Sequence, residues 1–436
     1  MPNKLGFPTP TEVAEHTPPD RDRAIDVIRI GALIGVVIGH AVMATSMIRD
    51  DVFIWGNLLT TSVVFQALTW VFQIMPLFFF AGAAACVQSW TPGTGWGGWL
   101  MKRCTRLFRP VFYYLAFWTV TLMFLHRAVG VHIYEPIAGI SVQLLWFLGA
   151  YVLMLAAVPL LHRVTGTGQL AAAVAGVYAL VMAVDLIRVH VPGLALLGYL
   201  NMVVWLIPGL FGVAYRRRLL DGRTAVKVGV AMLGVNIALL VAGPYELSLV
   251  GIEGQRIANM TPPSLLLAGH AIMMCAFAIA AAPAIERWAR RPRVWWLAAI
   301  GNSGAMTLYL WHMPALLLMH LAFDQFSLYR YPGQPDMLLL SVIQLLIMMA
   351  VVAVLFVVLR PLENNALPGW DGPVPSDTGL RSATVGVLLC LAGAATLAAV
   401  KWGLKDDGIY CVAVMLAALI AARLLSRIPV RIPAAR

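Results

Sequence analysis

Twelve long apolar runs constrain the fold of this 436-residue chain more than any other feature. Each run is close to the roughly 20 residues that a helix needs to cross a bilayer. A spanning segment must satisfy its own backbone hydrogen bonds, which favours helices. The sequence therefore predicts an all-α fold, a polytopic transmembrane bundle of about twelve helices. The predicted spans are 27–47, 60–88, 110–128, 141–161, 170–188, 198–215, 225–243, 264–284, 295–320, 338–359, 382–400 and 409–424.

Charge distribution predicts how the bundle sits in its membrane. The chain is 61% hydrophobic and only 12% charged, which is too apolar for a soluble domain. Its net charge of +11 comes from Lys and Arg gathered in alternate loops, 22 on the side of both termini and 7 on the other. Positively charged loops stay in the cytoplasm. We therefore expect an integral inner (plasma) membrane protein with both termini cytoplasmic, membrane lipids as neighbours and no nucleic-acid partner.

The same pattern divides the chain into four segments. Residues 1–22 are predicted to be a polar cytoplasmic segment, and residues 23–360 a membrane domain of ten helices. A cytoplasmic linker over 361–381 leads to two extra helices and a basic tail over 382–436. The five cysteines have neither metal-site nor disulfide spacing, so no metal site is expected.

The first predicted span carries two ionisable residues, Arg29 and His40, eleven positions apart. Eleven helical steps return to within about 20° of the starting face, roughly 16 Å further along the axis. The two side chains should therefore share one stripe, with Arg29 at the membrane surface and His40 at depth. Ionisable groups inside a bilayer are costly and usually functional. The alternative for His40 is a structural histidine that bonds two helices together.

A second group of arginines precedes the third predicted span. Arg103, Arg106 and Arg109 recur every three residues and should lie along one side of a helical turn at the cytoplasmic surface. Guanidinium groups bind phosphate bidentately, so this side could hold a polyanion, and Arg29 lies at the same level. The alternative is an ordinary positive-inside anchor.

Several motifs, in this order, resemble the acyltransferase family 3 integral-membrane proteins. They are Arg23-x-x-Asp26-x-x-Arg29, the spacing from Arg29 to His40, the run from Met75 to Gly82, Arg103-x-x-Arg106, Leu145-Trp146-Phe147-Leu148 and the segment from Gly301 to His312. One departure is that Ile30 separates Arg29 from the glycine that usually follows it. The resemblance covers about residues 20–360 and identifies the ten-helix segment as the acyltransferase domain.

The resemblance implies O-acyl transfer from cytosolic acyl-CoA, by default acetyl-CoA, to a hydroxyl of an acceptor. The acceptor would be a glycan, a lipid-linked sugar or a small molecule. Acyl-CoA would be a co-substrate, and no tightly bound cofactor is expected. A histidine can act as the base or carry the acyl group, so His40 is the catalytic candidate. Arg29, Arg103 and Arg106 would bind the CoA phosphates, with Arg109 as an optional fourth.

Other residues have weaker roles in this prediction. Tyr309 and His312 should share a helical face, where His312 could assist catalysis and Tyr309 could contact substrate; helix packing is the alternative. Trp146 is expected near the outer face, either stacked on a sugar ring or as an interfacial anchor. Asp26 is expected to pair with Arg23 or Arg29 in an orienting role.

Two further function classes fit the same topology. A transporter of a small anionic or carbohydrate-like substrate would use the intramembrane charges as part of a permeation path. It would move substrate without any acyl donor. A receptor or scaffold would need only ligand binding, with His40 and His312 as packing groups. The ordered motifs favour the enzyme.

Overall fold

The computed structural model describes residues 7–60, 62–91, 93–252, 257–333, 336–374 and 378–427. Within these ranges twelve helical segments are long and apolar enough to cross a membrane, which confirms the all-α polytopic fold. The predicted basic tail lies largely outside the described residues. The elements are α1 (Pro10–Glu15), α2 (Arg23–Met43), β1 (Ala44–Arg49), β2 (Val52–Asn57), α3 (Val63–Phe72), α4 (Met75–Val87), α5 (Trp96–Ala128), α6 (Val131–Ser141), α7 (Leu145–Ala156), α8 (Val158–Leu161), α9 (Thr167–His190), a 3₁₀ segment (Pro192–Trp205), α10 (Leu206–Arg216), α11 (Gly222–Ala242), α12 (Leu265–Ala289), α13 (Pro292–Asn302), α14 (Ala305–Gln325), α15 (Met337–Asn364), α16 (Leu380–Trp402) and α17 (Asp406–Arg427).

Three predicted spans are interrupted where the sequence suggested one continuous helix. The span over 60–88 divides into α3 and α4 just before Pro76. The span over 295–320 divides into α13 and α14, so its first half is a separate short helix. The fourth span begins at Val131 rather than 141 and breaks between α6 and α7. This shift places Trp146 in the middle of the span, so its predicted position near the outer face was wrong.

Side chains from neighbouring helices satisfy the backbone groups that two of these breaks release. At the break between α6 and α7, the Tyr114 hydroxyl donates to the Ser141 carbonyl at 2.7 Å. The Tyr309 hydroxyl donates, also at 2.7 Å, to the Leu144 carbonyl, which accepts the Phe147 amide as well. At the break between α3 and α4, Nε2 of His270 lies 3.0 Å from the Gln73 carbonyl oxygen. Such partners are what allows irregular backbone inside a membrane.

A short β-hairpin follows α2 and was not predicted. The helix ends at Met43, four residues before its predicted end, and β1 pairs antiparallel with β2 from Ala44↔Asn57 to Arg49↔Val52. The turn residues Asp50 and Asp51 both have positive φ, 51° and 59°, as a two-residue hairpin turn of the I′ type requires. The hairpin caps one end of the bundle. We call this end the hairpin side and the opposite end the Arg29 side.

The two C-terminal helices pack on the core through close backbone contacts. α16 lies against α7 and α5, and α17 pairs with α16. A β-carbon built on Gly149 of α7 would lie 2.5 Å from the Gly393 carbonyl oxygen of α16, so only glycine fits there. Small residues allow helix backbones to approach in this way inside membranes. The extra helices are therefore an integral layer of the bundle.

Replacing Gly149 with Ala should loosen this layer. The added methyl group overpacks the contact with Gly393, at a cost of about 1–3 kcal/mol in unfolding free energy. Gly176→Ala is the matched control, because a β-carbon at Gly176 of α9 meets nothing within 4 Å. Thermal unfolding in detergent should show a lower midpoint for G149A and an unchanged or higher one for G176A. Equal midpoints would contradict the tight contact.

Candidate active site

The bundle brings His40 of α2 and His312 of α14 into direct contact. Nδ1 of His40 lies 2.8 Å from Nε2 of His312, and the two rings stack with centroids 5.1 Å apart. His312 is fully buried, whereas His40 keeps some accessible surface. The sequence reasoning named both residues but did not predict that they touch.

The hydrogen bonds of this pair determine which ring nitrogen is free. Nδ1 of His312 faces the Leu308 carbonyl oxygen at 3.3 Å, and a carbonyl only accepts. A neutral imidazole carries one N–H, so in His312 it belongs on Nδ1 and Nε2 accepts from Nδ1–H of His40. Nε2 of His40 then keeps its lone pair. It has no hydrogen-bond partner among the described residues and is placed to take a proton or attack a carbonyl carbon.

Arg29 lies eleven residues before His40 on the same unbroken helix, as the spacing predicted. Its Nε donates to Oδ1 of Asn302 at 2.6 Å, and Nδ2 of Asn302 donates back to the Asp26 carbonyl at 2.8 Å. Asp26 lies 3.5 Å from an Arg29 nitrogen and also binds Arg21 at 2.5 Å. The expected pairing with Arg29 is therefore observed, although the second partner is Arg21. Arg23 instead lies over the Trp295 ring.

A cavity of 680 Å³ opens beside Arg29. Asp26, Asn302 and Ser303 line its inner wall, and α1 with the residues that follow it forms the other. Two hydrogen bonds from α13 hold this N-terminal segment in place: Trp295 donates to Thr17, and Trp296 donates to the Pro8 carbonyl, each at 2.7 Å. The N-terminal segment, which the sequence predicted only as a polar cytoplasmic segment, thus forms part of the cavity wall.

Arg103 and Arg106 lie on α5 and do not line this cavity. The Arg103 guanidinium stacks on the Trp99 ring at 3.6 Å and donates to the Trp99 carbonyl and to Ser89. Arg106 is exposed.

Arg109 has a different environment from the other arginines of α5. Its guanidinium forms a two-pronged ion pair with Asp371 of the linker and donates to the Glu363 carbonyl at 2.6 Å. Both partners are mostly buried, at 11% and 15% exposure. Arg109 therefore fastens the linker to α5, and a phosphate would have to compete with Asp371. Its role in phosphate binding stays a prediction.

An aromatic cluster fills the space between the Arg29 side and the histidine pair. Tyr309 lies 6.0 Å from His312 and 5.2 Å from Phe147, measured between ring centroids, while its hydroxyl is bonded to Leu144. Trp146 is half-buried and packs on Trp205 at 5.4 Å. The predicted substrate contacts of Tyr309 and Trp146 stay predictions. Of the two, Tyr309 is the one that lies beside His312.

Sequence reasoning missed two residues that organise this site. Asn302 orients Arg29 through the hydrogen bond to its Nε. Glu363 accepts hydrogen bonds from the Thr307 amide and hydroxyl at 2.7 and 2.8 Å and thereby caps the start of α14. The segment from Gly301 to His312 contained a usable signal, because an Asn-Ser-Gly break in an apolar run often marks a helix boundary. The position of Glu363 depends on tertiary packing alone.

The ion pair between Arg109 and Asp371 can be tested with a double-mutant cycle. Arg109→Gln and Asp371→Asn should each lower the unfolding midpoint, because each leaves a mostly buried charge unpaired. The double variant should lose less unfolding free energy than the two single variants lose together. We expect the difference, the coupling energy, to be about 1–3 kcal/mol. Additive effects in thermal unfolding would mean that the pair does not hold the linker.

Comparison with known proteins agrees with this geometry. The family model described as an acyltransferase domain matches residues 22–360, more than three quarters of the chain. That match includes His40 and His312, together with Arg29, Arg103, Arg106 and Arg109. No curated protein and no solved structure gives a significant match. The chain is a multi-pass membrane protein that belongs to acyltransferase family 3.

Proposed function

We propose that this protein transfers an acyl group from cytosolic acyl-CoA to a hydroxyl group of a sugar, glycan or other small acceptor. Acetyl-CoA is the first donor to test. The proposal rests mainly on the free Nε2 of His40, whose ring is oriented by His312. His40 lies on α2, the helix that begins beside the Arg29 cavity. The family membership supports acyl transfer in general.

The donor would bind on the Arg29 side. Arg29 lines the 680 Å³ cavity, and Arg103 and Arg106 lie on α5 ahead of Arg109, which donates to the Glu363 carbonyl. Guanidinium groups at these positions suit the phosphates of CoA. His40 lies roughly 16 Å further along α2. An extended pantetheine arm reaching along the aromatic cluster would bring the thioester towards His40.

Two chemical routes fit the histidine pair. In the first, Nε2 of His40 takes the proton of the acceptor hydroxyl, and the oxygen attacks the thioester carbonyl carbon. The C–S bond breaks, and the CoA thiolate recovers a proton from the imidazolium. In the second, Nε2 attacks the carbonyl carbon, the C–S bond breaks and CoA leaves as the thiolate. The acceptor oxygen then displaces the acyl group from Nε2, and the acceptor proton passes by way of the released imidazole to the thiolate. In both routes His312 accepts a hydrogen bond from Nδ1–H and helps to stabilise the positive charge.

The direction of transfer depends on the orientation in the inner membrane. The excess of Lys and Arg, 22 against 7, favours the Arg29 side in the cytoplasm. Acyl-CoA is cytosolic, so this orientation exposes the donor cavity to its substrate. The hairpin side would then face outward.

Reporter fusions test this orientation. A green fluorescent protein fused after Arg436 should be fluorescent, and alkaline phosphatase at the same point should be inactive, because both report a cytoplasmic C-terminus. Phosphatase inserted at the hairpin turn, between Asp50 and Asp51, should be active. The opposite pattern would overturn the assignment of the donor side.

Substitution of the histidines tests the chemistry. With radiolabelled acetyl-CoA and a panel of soluble sugars, His40→Ala should lower acyl transfer by about 10²–10⁴-fold, the usual contribution of a general base. His312→Ala should have a smaller effect, because His40 keeps its lone pair but loses its orienting partner. Label bound to the wild-type protein and absent from H40A would select the covalent route.

The controls separate catalysis from folding and donor binding. His126→Ala, at the exposed end of α5, should keep full activity. Arg29→Ala should weaken acetyl-CoA binding, whereas H40A should bind it normally. A folded H40A protein with full transfer activity, or a folded wild type that binds no acyl-CoA, would contradict the proposal.

A further inference from the structure

A cluster of polar residues lies buried on the hairpin side, beyond the histidine pair. We call it the hairpin-side cluster, and it consists of Ser46, His320, Arg330 and Gln344. Nδ1 of His320 lies 2.6 Å from the Ser46 hydroxyl, and its Nε2 lies 3.2 Å from Nε2 of Gln344. The Ser46 amide donates to the Arg330 carbonyl at 3.1 Å. All four side chains are at most 5% exposed. The chemistry proposed above uses none of them.

The cluster begins directly after His40. Gln344 donates to the carbonyl of Ala41 at 3.0 Å, and Arg330 donates through Nη2 to the carbonyl of Val42. These are the first and second residues after His40, so their carbonyls lie only about 1.5–3 Å further along the helix axis. A group bound here is therefore next to the reactive histidine, on the side opposite to the donor cavity.

Two polar atoms in the cluster have no partner in the described residues. They are Nη1 of Arg330 and Oε1 of Gln344. The amide orientation of Gln344 is fixed, because only its NH₂ group can donate to the Ala41 carbonyl. Buried polar atoms are normally hydrogen-bonded, so these two point to a missing ligand.

Arg330 also lacks a counter-ion. It is 1% exposed, and no carboxylate within the described ranges forms an ion pair with it. Burial lowers the pKa of Arg330 to about 10, so it remains charged at neutral pH. A buried guanidinium without an anion is costly, and one that an arriving carboxylate or phosphate can neutralise is a recognition element.

Taking the proposed acyl transfer as given, we propose that the hairpin-side cluster binds the acceptor, and that this acceptor carries an anionic oxygen group, a carboxylate or a phosphate, beside the hydroxyl that is acylated. Arg330 would bind the anion through Nη1, and Oε1 of Gln344 would accept a hydrogen bond from a second hydroxyl. The acylated hydroxyl would then face Nε2 of His40. Donor and acceptor would thus reach the histidine from opposite sides of the membrane.

Binding measurements with simple sugars test this site without acyl transfer. The probes are methyl β-glucuronide and glucose 6-phosphate, compared with methyl β-glucoside, on the full-length protein in nanodiscs by calorimetry. At least one anionic probe should bind ten-fold or more tightly than the neutral one. The tighter of the two anions identifies the anionic group.

Three variants assign the effect to Arg330. Arg330→Gln should lose the preference for the anion, while its amide nitrogen, at the position of the Arg330 Nε, can still donate to the Ser341 hydroxyl. Gln344→Glu should also lose it, because the new carboxylate neutralises Arg330 internally. Arg127→Gln, exposed at the end of α5, should keep the preference.

Two results would overturn the inference. One is a wild type that binds neither anion more tightly than the neutral glucoside. The other is that both R330Q and Q344E still bind the anionic probe more tightly than the neutral glucoside. Acetyl-CoA binding should be normal in R330Q and Q344E, so failure of the acceptor site is distinguishable from failure of the proposed enzyme function.

Discussion

Backbone groups released by breaks in the spanning helices must find partners inside the bundle, because hydrocarbon offers none. The rest of the site depends on this constraint. Tyr309 donates to the Leu144 carbonyl at the break between α6 and α7, and Glu363 caps the amides that begin α14. These two bonds position α14 and therefore His312. The irregular points of the bundle thus lie around the candidate active site.

Charge is arranged in layers along α2. At one end Arg29, Asp26 and Asn302 form a bonded network beside a large cavity. At the middle level two imidazoles need no counter-ion when neutral, which suits a buried position. At the other end Arg330 satisfies a carbonyl at the terminus of α2 but keeps one nitrogen unpaired. A neutral reactive centre between two cationic layers suits a reaction that joins two polar substrates.

The N-terminal segment and the C-terminal helices extend the ten-helix arrangement. α1 packs on α13 and forms one wall of the Arg29 cavity, so the sequence before the first span contributes to the candidate donor site. The linker after α15 is fastened to α5 through Arg109 and Asp371, and it leads to α16, whose Gly393 packs on α7. Both ends of the chain therefore stabilise the membrane domain.

The sequence by itself determined the membrane fold, the number of spans and the common helix of Arg29 and His40, because hydropathy and helical periodicity are local properties. Only the tertiary structure decided which atoms meet. The bond between His40 and His312 joins residues 272 positions apart, and Asn302 reaches Arg29 across a similar separation. The hairpin after Met43 and the pairing of Arg109 with Asp371 also depend on distant partners. Contacts of this kind are decided by helix packing, which no local pattern encodes.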